Sequence, residues 1–333
     1  MARRHIATAA RRALPVGATV GVCDLGTFSC LFLMARVSRH GLVPLEESRH
    51  TIDLLAGMAA DCWITHTAQS RAMRAVAAFS TLCRGHACAR SVVVCTAAIR
   101  SAPNRRAVVA ALRHSIRHRV IVLSARTEAR LTAIGALSGL TRGSRPSTVI
   151  DVGGGSTEII NTATNRFVGI PIGAARATDT WGRKLPRNRH ERSRHHRKCC
   201  EQDIAGIPID CAGQSTTVVG VGGTITTLAA ISMRLKSFDA DAIHGRVLTL
   251  DEITRRADEF SLMTRQQLAA LIPFDPRRAR VLTAGTHIWA GVLNALNAPG
   301  VRVSVRGLRW GAADQICRGI HLPGLRLDAV QRT

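Results

Sequence analysis

Twice in 333 residues an apolar run ends on an aspartate, turns through glycine and small hydroxyl residues, and resumes as a second apolar run. The first copy spans 16–37 and carries Asp24, Gly26, Thr27 and Ser29 at its turn. The second spans 147–160 and carries Asp151, Gly153, Gly154, Gly155, Ser156 and Glu158. Each pattern predicts a β-hairpin with a polar tip. Two hairpins of one design, one in each half, predict a duplicated fold. Short apolar runs at 19–24, 91–96, 147–151 and 216–221 read as buried strands. Helix-spaced Ala, Leu and Arg fill the intervals, as at 69–82 and 105–116. Alternation of this kind predicts an α/β chain, and the length suggests about two domains. We place a basic extension at 1–15, a first domain at 16–138, a second at 139–323 and a tail at 324–333. The last helix of the second domain is free to pack back on the first.

Lys+Arg total 46 against 22 Asp+Glu, a net charge of +24, and only Lys184, Lys198 and Lys236 are lysine. Such a surface attracts polyanions: nucleic acid, anionic membrane or polymeric phosphate. Arg-rich coding alone is the competing explanation. Aromatics are 3% of residues and Tyr is absent, which argues against stacking platforms for single-stranded nucleic acid. No run of 18 apolar residues predicts a spanning helix, so no membrane partner is expected. The ten cysteines include no C-x-x-C pair, which argues against a zinc ribbon and a secreted disulfide framework. A reducing, cytoplasmic setting follows most simply. The acid-free, Arg-bearing start at 1–15 fits either a frayed extension or a mitochondrial transit segment. The segment 183–198 holds eight Arg or Lys and one acid, Glu191, and self-repulsion predicts it exposed and mobile. His190, His195, His196, Cys199 and Cys200 lie in or beside it, and a solvated basic segment is preferred there to a metal site.

A loop that holds phosphate turns backbone N–H groups toward one point, and glycine permits both positive φ and close approach. Gly153, Gly154, Gly155 and Ser156 supply this in the second hairpin; Asp24, Gly26, Thr27 and Ser29 are the counterparts in the first. Gly222, Gly223 and Thr224 follow a strand and open an Ala-rich helix, a third anion site. Each loop alone is equally compatible with a structural turn. Asp151 and Glu158 repel phosphate unless a divalent ion intervenes, and Mg²⁺ held by one or two carboxylates plus phosphate resolves the conflict.

The order and spacing of these segments resemble the Ppx/GppA phosphatase family, the exopolyphosphatases and guanosine pentaphosphate phosphohydrolases. The resemblance rests on D-L-G-T-F-S at 24–29, T-A-A-I-R at 96–100, E-A-R-L at 128–131 and I-D-V-G-G-G-S-T-E at 150–158. P-I-G-A-A-R at 171–176, V-G-V-G-G-T at 219–224, H-G at 244–245 and S-V-R-G-L-R at 304–309 complete it, so it spans about 20–312. It implies an actin-like, sugar-kinase-like fold of two ribonuclease-H-type domains with the site in the cleft. It also implies Glu128 as catalytic base and Arg100 as a phosphate ligand. The implied reaction removes the terminal phosphate of polyphosphate; the alternatives are the 5′ phosphate of guanosine pentaphosphate, or a phosphate or nucleotide sensor without turnover. A homodimer is left open. Three residues depart from the family pattern. Phe28 replaces an Asn at the first loop tip, Ala125 replaces a Gly before the base, and Trp310 replaces an acid. Phe28 and Ala125 carry the sensor alternative, through a weakened loop and, if the Gly has positive φ, a strained backbone.

Overall fold

The structure is a computed structural model that describes residues 12–55, 63–116, 118–140, 147–205 and 217–325. The extension through residue 11, the connection at 141–146, Thr216 and the tail from 326 lie outside the described residues.

The first hairpin is β1 (Thr19–Leu25) and β2 (Ser29–Ser38), extended by β3 (Gly41–Thr51). Helix α1 (His66–Gly85) crosses to β4 (Arg90–Cys95), and α2 (Ala97–Ser101) with α3 (Arg105–Ser115) crosses to β5 (Arg119–Val122). The sheet order is β3-β2-β1-β4-β5. Helix α4 (Ala125–Leu137) leads to the second half. There β6 (Ser147–Val152), β7 (Thr157–Asn161) and β8 (Arg166–Ile170) repeat the meander. Helices α5 (Ala174–Gly182) and α6 (Arg189–Ile204) precede β9 (Thr217–Val221). Then come α7 (Gly223–Ser232), α8 (Ala240–Ile243), β10 (Val247–Thr249), α9 (Leu250–Leu262) and α10 (Arg265–Leu271). A 3-10 helix (Pro276–Arg280), α11 (Leu282–Ala295), β11 (Gly300–Val303) and α12 (Leu308–Cys317) finish the chain. This sheet runs β10-β11-β9-β6-β7-β8. Read from its β8 edge, it repeats the first: an antiparallel meander, then a parallel strand beside the first strand of the hairpin. This is the ribonuclease-H-type order of an actin-like fold, built twice.

Each sheet has its own core, around Phe32 and Phe79 in the first half and Phe260 and Trp289 in the second. Two helices join the halves. Leu308, Trp310 and Ala312 of α12 pack on Val20, Val22 and Val92 of the first sheet. Ala129 and Ala136 of α4 pack on Val149, Ile160 and Val219 of the second. The start of α4, and Glu128 with it, is thereby fixed between the sheets.

The basic segment is largely exposed as expected, with His196 buried, but most of it is regular helix rather than a mobile stretch. Most of it is the start of α6, capped by Asn188, whose side chain accepts from the His190 N–H at 3.0 Å. His196, Cys200 and Ile204, spaced by four, are buried against α9 and α11, and the cations occupy the other faces. Ser261 Oγ lies 3.2 Å from His196 Nδ1 and 2.9 Å from His287 Nε2. Burial pulls His196 down to about 4 and His287 to about 3. Both values lie below the unfolded histidine value, so their contribution to stability is intact above about pH 6.5 and lost as pH falls toward 4. His287→Gln is expected to reduce the drop in Tm between pH 7 and pH 5, relative to the unmodified chain, by roughly 3 °C or more. Melting curves at the two pH values check this.

Candidate functional site

Strands β1 and β6 each deliver an aspartate, Asp24 and Asp151, to one cavity of about 520 Å³ between the halves. Both hairpin turns close alike. The Gly26 N–H donates to the Ser29 carbonyl at 3.0 Å, and the Gly153 N–H to the Ser156 carbonyl at 3.0 Å. The two turns then touch. A Cβ on Gly154 would lie 3.1 Å from the Cβ atoms of Thr27 and Phe28, and one on Gly155 would lie 2.9 Å from Thr27 Oγ1. Close approach is thus what requires these glycines. Positive φ is not: none of Gly26, Gly153, Gly154 and Gly155 has it, which corrects that part of the sequence argument. It occurs at Gly222, φ 99°, where the chain turns from β9 into α7 beside Gly223 and Thr224. A Cβ on Gly222 would also press on Asp151 Oδ1 at 3.0 Å. Among the described residues, none takes a hydrogen bond from the Gly154 or Gly155 N–H.

Four carboxyl groups face this cradle. Asp151 and Glu158 are direct cross-strand partners and share one face of the sheet. Like charges so placed destabilise a sheet. Burial, with repulsion from Glu128, pushes Asp24 up to about 8 and Asp151 to about 7. Burial likewise pushes Glu158 well above its ordinary range, although Ser156 Oγ donates to its Oε1 at 2.6 Å. Asp24 Oδ1 is buried and finds no hydrogen-bond partner among the described residues. Among the described residues no three His, Cys, Asp or Glu side chains form a ready-made metal cage.

Glu128 lies in the first turn of α4, which Ser124 caps by accepting from the Thr127 N–H at 3.1 Å. Burial raises its pKa and Arg100, its ion-pair partner, pulls it back. Arg100 also donates to the Leu123 carbonyl at 3.2 Å. It stands behind Glu128, while Glu128, Asp24, Asp151, Glu158, the hydroxyls of Thr27, Ser29, Ser156 and Thr224, and the glycines of all three loops line the cavity.

A basic wall of Arg49, Arg278 and Arg309 lines the same cavity. Arg49 Nη1 and Arg278 Nε reach the same Asp275 oxygen, at 3.1 and 3.3 Å. Burial, and then Arg49, pulls the Arg278 guanidinium down to about 9. Arg309 pairs with Glu47, and both line the cavity. Arg309 belongs to the S-V-R-G-L-R run and could have been named from it; Arg49 and Arg278 carried no distinguishing pattern among 46 basic residues.

The three departures resolve individually. Phe28 is 6% exposed and packs across the cleft on Ala174, Ala175 and Val281, so it adds an apolar contact between halves. Ala125 is the first helical residue of α4 and has no positive φ, so no strain arises. Trp310 is buried on the first sheet beneath Arg306, whose guanidinium lies 4.1 Å from its ring, and does not line the cavity.

No described helix is long and apolar enough to cross a membrane. The sequence profile of the Ppx/GppA phosphatase family matches residues 33–318. Exopolyphosphatase 2 of Mycobacterium tuberculosis is 30% identical over 81% of this chain and 88% of its own. A guanosine-5′-triphosphate,3′-diphosphate pyrophosphatase of Photobacterium profundum is 23% identical over 89% of this chain and 59% of its own. The crystal structure of an exopolyphosphatase from Cytophaga hutchinsonii superposes with a TM-score of 0.81 at 22% identity, covering 92% of this chain and 100% of the other. With two abutting glycine loops over a carboxyl cluster, and a profile match across nearly the whole folded length, the chain belongs to the Ppx/GppA phosphatase family.

Proposed function

We propose that this chain is an exopolyphosphatase that hydrolyses the terminal phosphate of inorganic polyphosphate. The observation that carries the proposal is the contact between the two glycine turns over the four carboxyl groups. Free N–H groups at Gly154 and Gly155, with the Thr27, Ser29, Ser156 and Thr224 hydroxyls, receive the terminal phosphate oxygens. Gly222 and Gly223 bring the N-terminus of α7 to the same point. Glu128 takes a proton from, or orients, the attacking water. Arg100 acts as a positioning residue that opposes the upward pull of burial on the Glu128 pKa. The basic wall of Arg49, Arg278 and Arg309 lies where the departing chain extends.

The donor set fits Mg²⁺. Asp24 has a buried oxygen unpartnered among the described residues, and Asp151 and Glu158 repel one another across the sheet. Carboxyls that form no closed cage suit an ion that keeps waters and phosphate oxygens as ligands. When bound, the ion neutralises phosphate charge. Without it, the folded state holds protons on Asp24 and Asp151, whose values stand at about 8 and about 7. The unfolded chain has lost those protons by pH 5, so ion-free stability falls as pH rises from about 4 toward 8. Added Mg²⁺ is therefore expected to raise Tm more at pH 8 than at pH 5, by roughly 5 °C or more. Asp151→Asn shrinks that difference and lowers turnover. Equal Mg²⁺ shifts at both pH values, in the unmodified chain and in Asp151→Asn, place the ion elsewhere.

A second substrate is favoured by one observation. Phe238 and Phe274, 6.0 Å apart by ring centroid, line the cavity and offer apolar faces to a base. Phosphate release from polyphosphate and from guanosine pentaphosphate, side by side and with or without Mg²⁺, decides between the two. Release from neither returns the chain to a sensor of the same fold.

A further inference from the structure

A second set of ligating atoms lies at the opposite end of β1, outside the cavity. It arises from the way α1 stops. Ala87 takes φ 46°, the Cys88 N–H donates to the Cys83 carbonyl at 2.9 Å, and the Ala87 N–H donates to the Arg84 carbonyl at 3.1 Å. That is a Schellman stop, in which the side chains of the two residues joined by the longer bond come into contact. Here both are cysteines. Beneath them Met34 of β2 points its thioether at the pair: Met34 Sδ is 4.0 Å from Cys83 Sγ and 3.6 Å from Cys88 Sγ. The space is left by Gly21 of β1. A Cβ there would meet Cys83 Sγ at 2.7 Å, Cys88 Sγ at 3.3 Å and Met34 Sδ at 3.3 Å. Three sulfurs thus surround one point that a larger residue would fill.

We propose that Cys83, Cys88 and Met34 form a binding site for a soft monovalent cation of the Cu⁺ or Ag⁺ class. Thiolate and thioether ligands favour such soft ions over hard ones. Sulfurs held about 2.3 Å from a common ion in a trigonal plane stand about 4 Å apart. The two spacings to Met34 already match that scale, so little rearrangement is required. On binding, two S–H bonds break, two metal–sulfur bonds form to the thiolates, and two protons leave to solvent; the ion stays monovalent and no electron is exchanged. Cys88 is half-buried and gives the ion a route in, whereas Met34 is fully buried and fixed. Another close pair, Cys23 and Cys30 with sulfurs 3.3 Å apart, is fully buried beneath the first loop and offers no such route.

The test uses the full chain, reduced and anaerobic, titrated with Cu⁺ against the chromophoric chelator bicinchoninate. The unmodified protein is expected to withhold one equivalent that Cys83→Ala/Cys88→Ala does not, with two protons released per ion. Met34→Leu, which conserves volume, should weaken retention by roughly tenfold, the scale on which loss of a supporting metal partner is felt. Cys23→Ala should retain the full equivalent. Circular dichroism and melting curves establish that each variant is folded. Equal retention by the unmodified protein and the folded double variant overturns the site. So does a Cys83–Cys88 pair that peroxide oxidises to a disulfide but that takes up no Cu⁺ when reduced. Retention unaltered in Met34→Leu removes the thioether and leaves the three-sulfur proposal refuted.

Discussion

Glu128→Gln is expected to bind polyphosphate about as well as the unmodified chain and to release phosphate 10²- to 10⁴-fold more slowly, by about the contribution of a positioned general base. The substitution preserves shape, and the amide oxygen can still accept from Arg100. What is lost is the basicity of one oxygen. The side effect on stability has a definite sign. Glu128 raises the pKa of Asp24, Asp151 and Glu158 by repulsion, so its neutralisation relieves all three. The ion-free variant should therefore melt no lower than the unmodified chain at pH 8. A slow enzyme with undiminished Tm separates a chemical role from a structural one. Near-normal turnover with intact folding would remove Glu128 from the mechanism. The Arg100 pairing gives an independent check: Arg100→Ala removes the cation that lowers the Glu128 pKa, so the rising limb of the pH–rate profile should move to higher pH.

The elements that make the site were readable because they rest on local patterns. Apolar runs at 19–24 and 147–151 became β1 (Thr19–Leu25) and β6 (Ser147–Val152), and the glycine turns fell between paired strands. Strand β3 was not read, because Gly41–Thr51 is an edge strand with little burial, and its pairing slips opposite Met34 and Ala35 near Pro44. Segment 183–198 is largely exposed as its charge predicts, but its helical order was hidden for a related reason. Its average polarity hides the stripe of His196, Cys200 and Ile204 that seats α6. Arg49 and Arg278 were beyond reach in a different sense. An arginine turned into a cavity differs from an exposed one only through neighbours such as Asp275 and Phe28, which the fold supplies from distant parts of the chain. The Cys83, Cys88 and Met34 cluster is intermediate. The helix stop is local, but the thioether and the space above Gly21 come from two strands.

Gly311→Ala is expected to destabilise the protein by about 3 kcal/mol or more, and to slow turnover as well. Helices α4 and α12 cross with backbone against backbone. A Cβ on Gly311 would overlap the Leu131 carbonyl oxygen and lie 2.8 Å from the carbonyl carbon and 3.1 Å from the Gly135 nitrogen. Reciprocally, a Cβ on Gly135 would overlap the Gly307 carbonyl oxygen and lie 2.9 Å from the Gly311 nitrogen. No side chain can rotate out of the way, so the helices must separate. Separation strips contacts from Leu131, Leu308 and Ala312, which seat the pair on the first sheet. For a chain of this length each kcal/mol lowers Tm by roughly 2–4 °C, so the drop should be about 6 °C or more. The same displacement moves Glu128, because it rides on α4 one turn before Leu131. Misplacement of a catalytic group by about 1 Å is worth roughly 10²-fold in rate. Turnover measured well below both melting points should therefore fall even where the variant is fully folded. Gly182→Ala is the control: it lies at the end of α5, has no positive φ, and has open space where the Cβ would go. There the added methyl group should leave Tm and turnover unchanged or raise Tm slightly. A Gly311→Ala variant that matches Gly182→Ala in both measurements would show that the α4–α12 crossing does not set the position of Glu128.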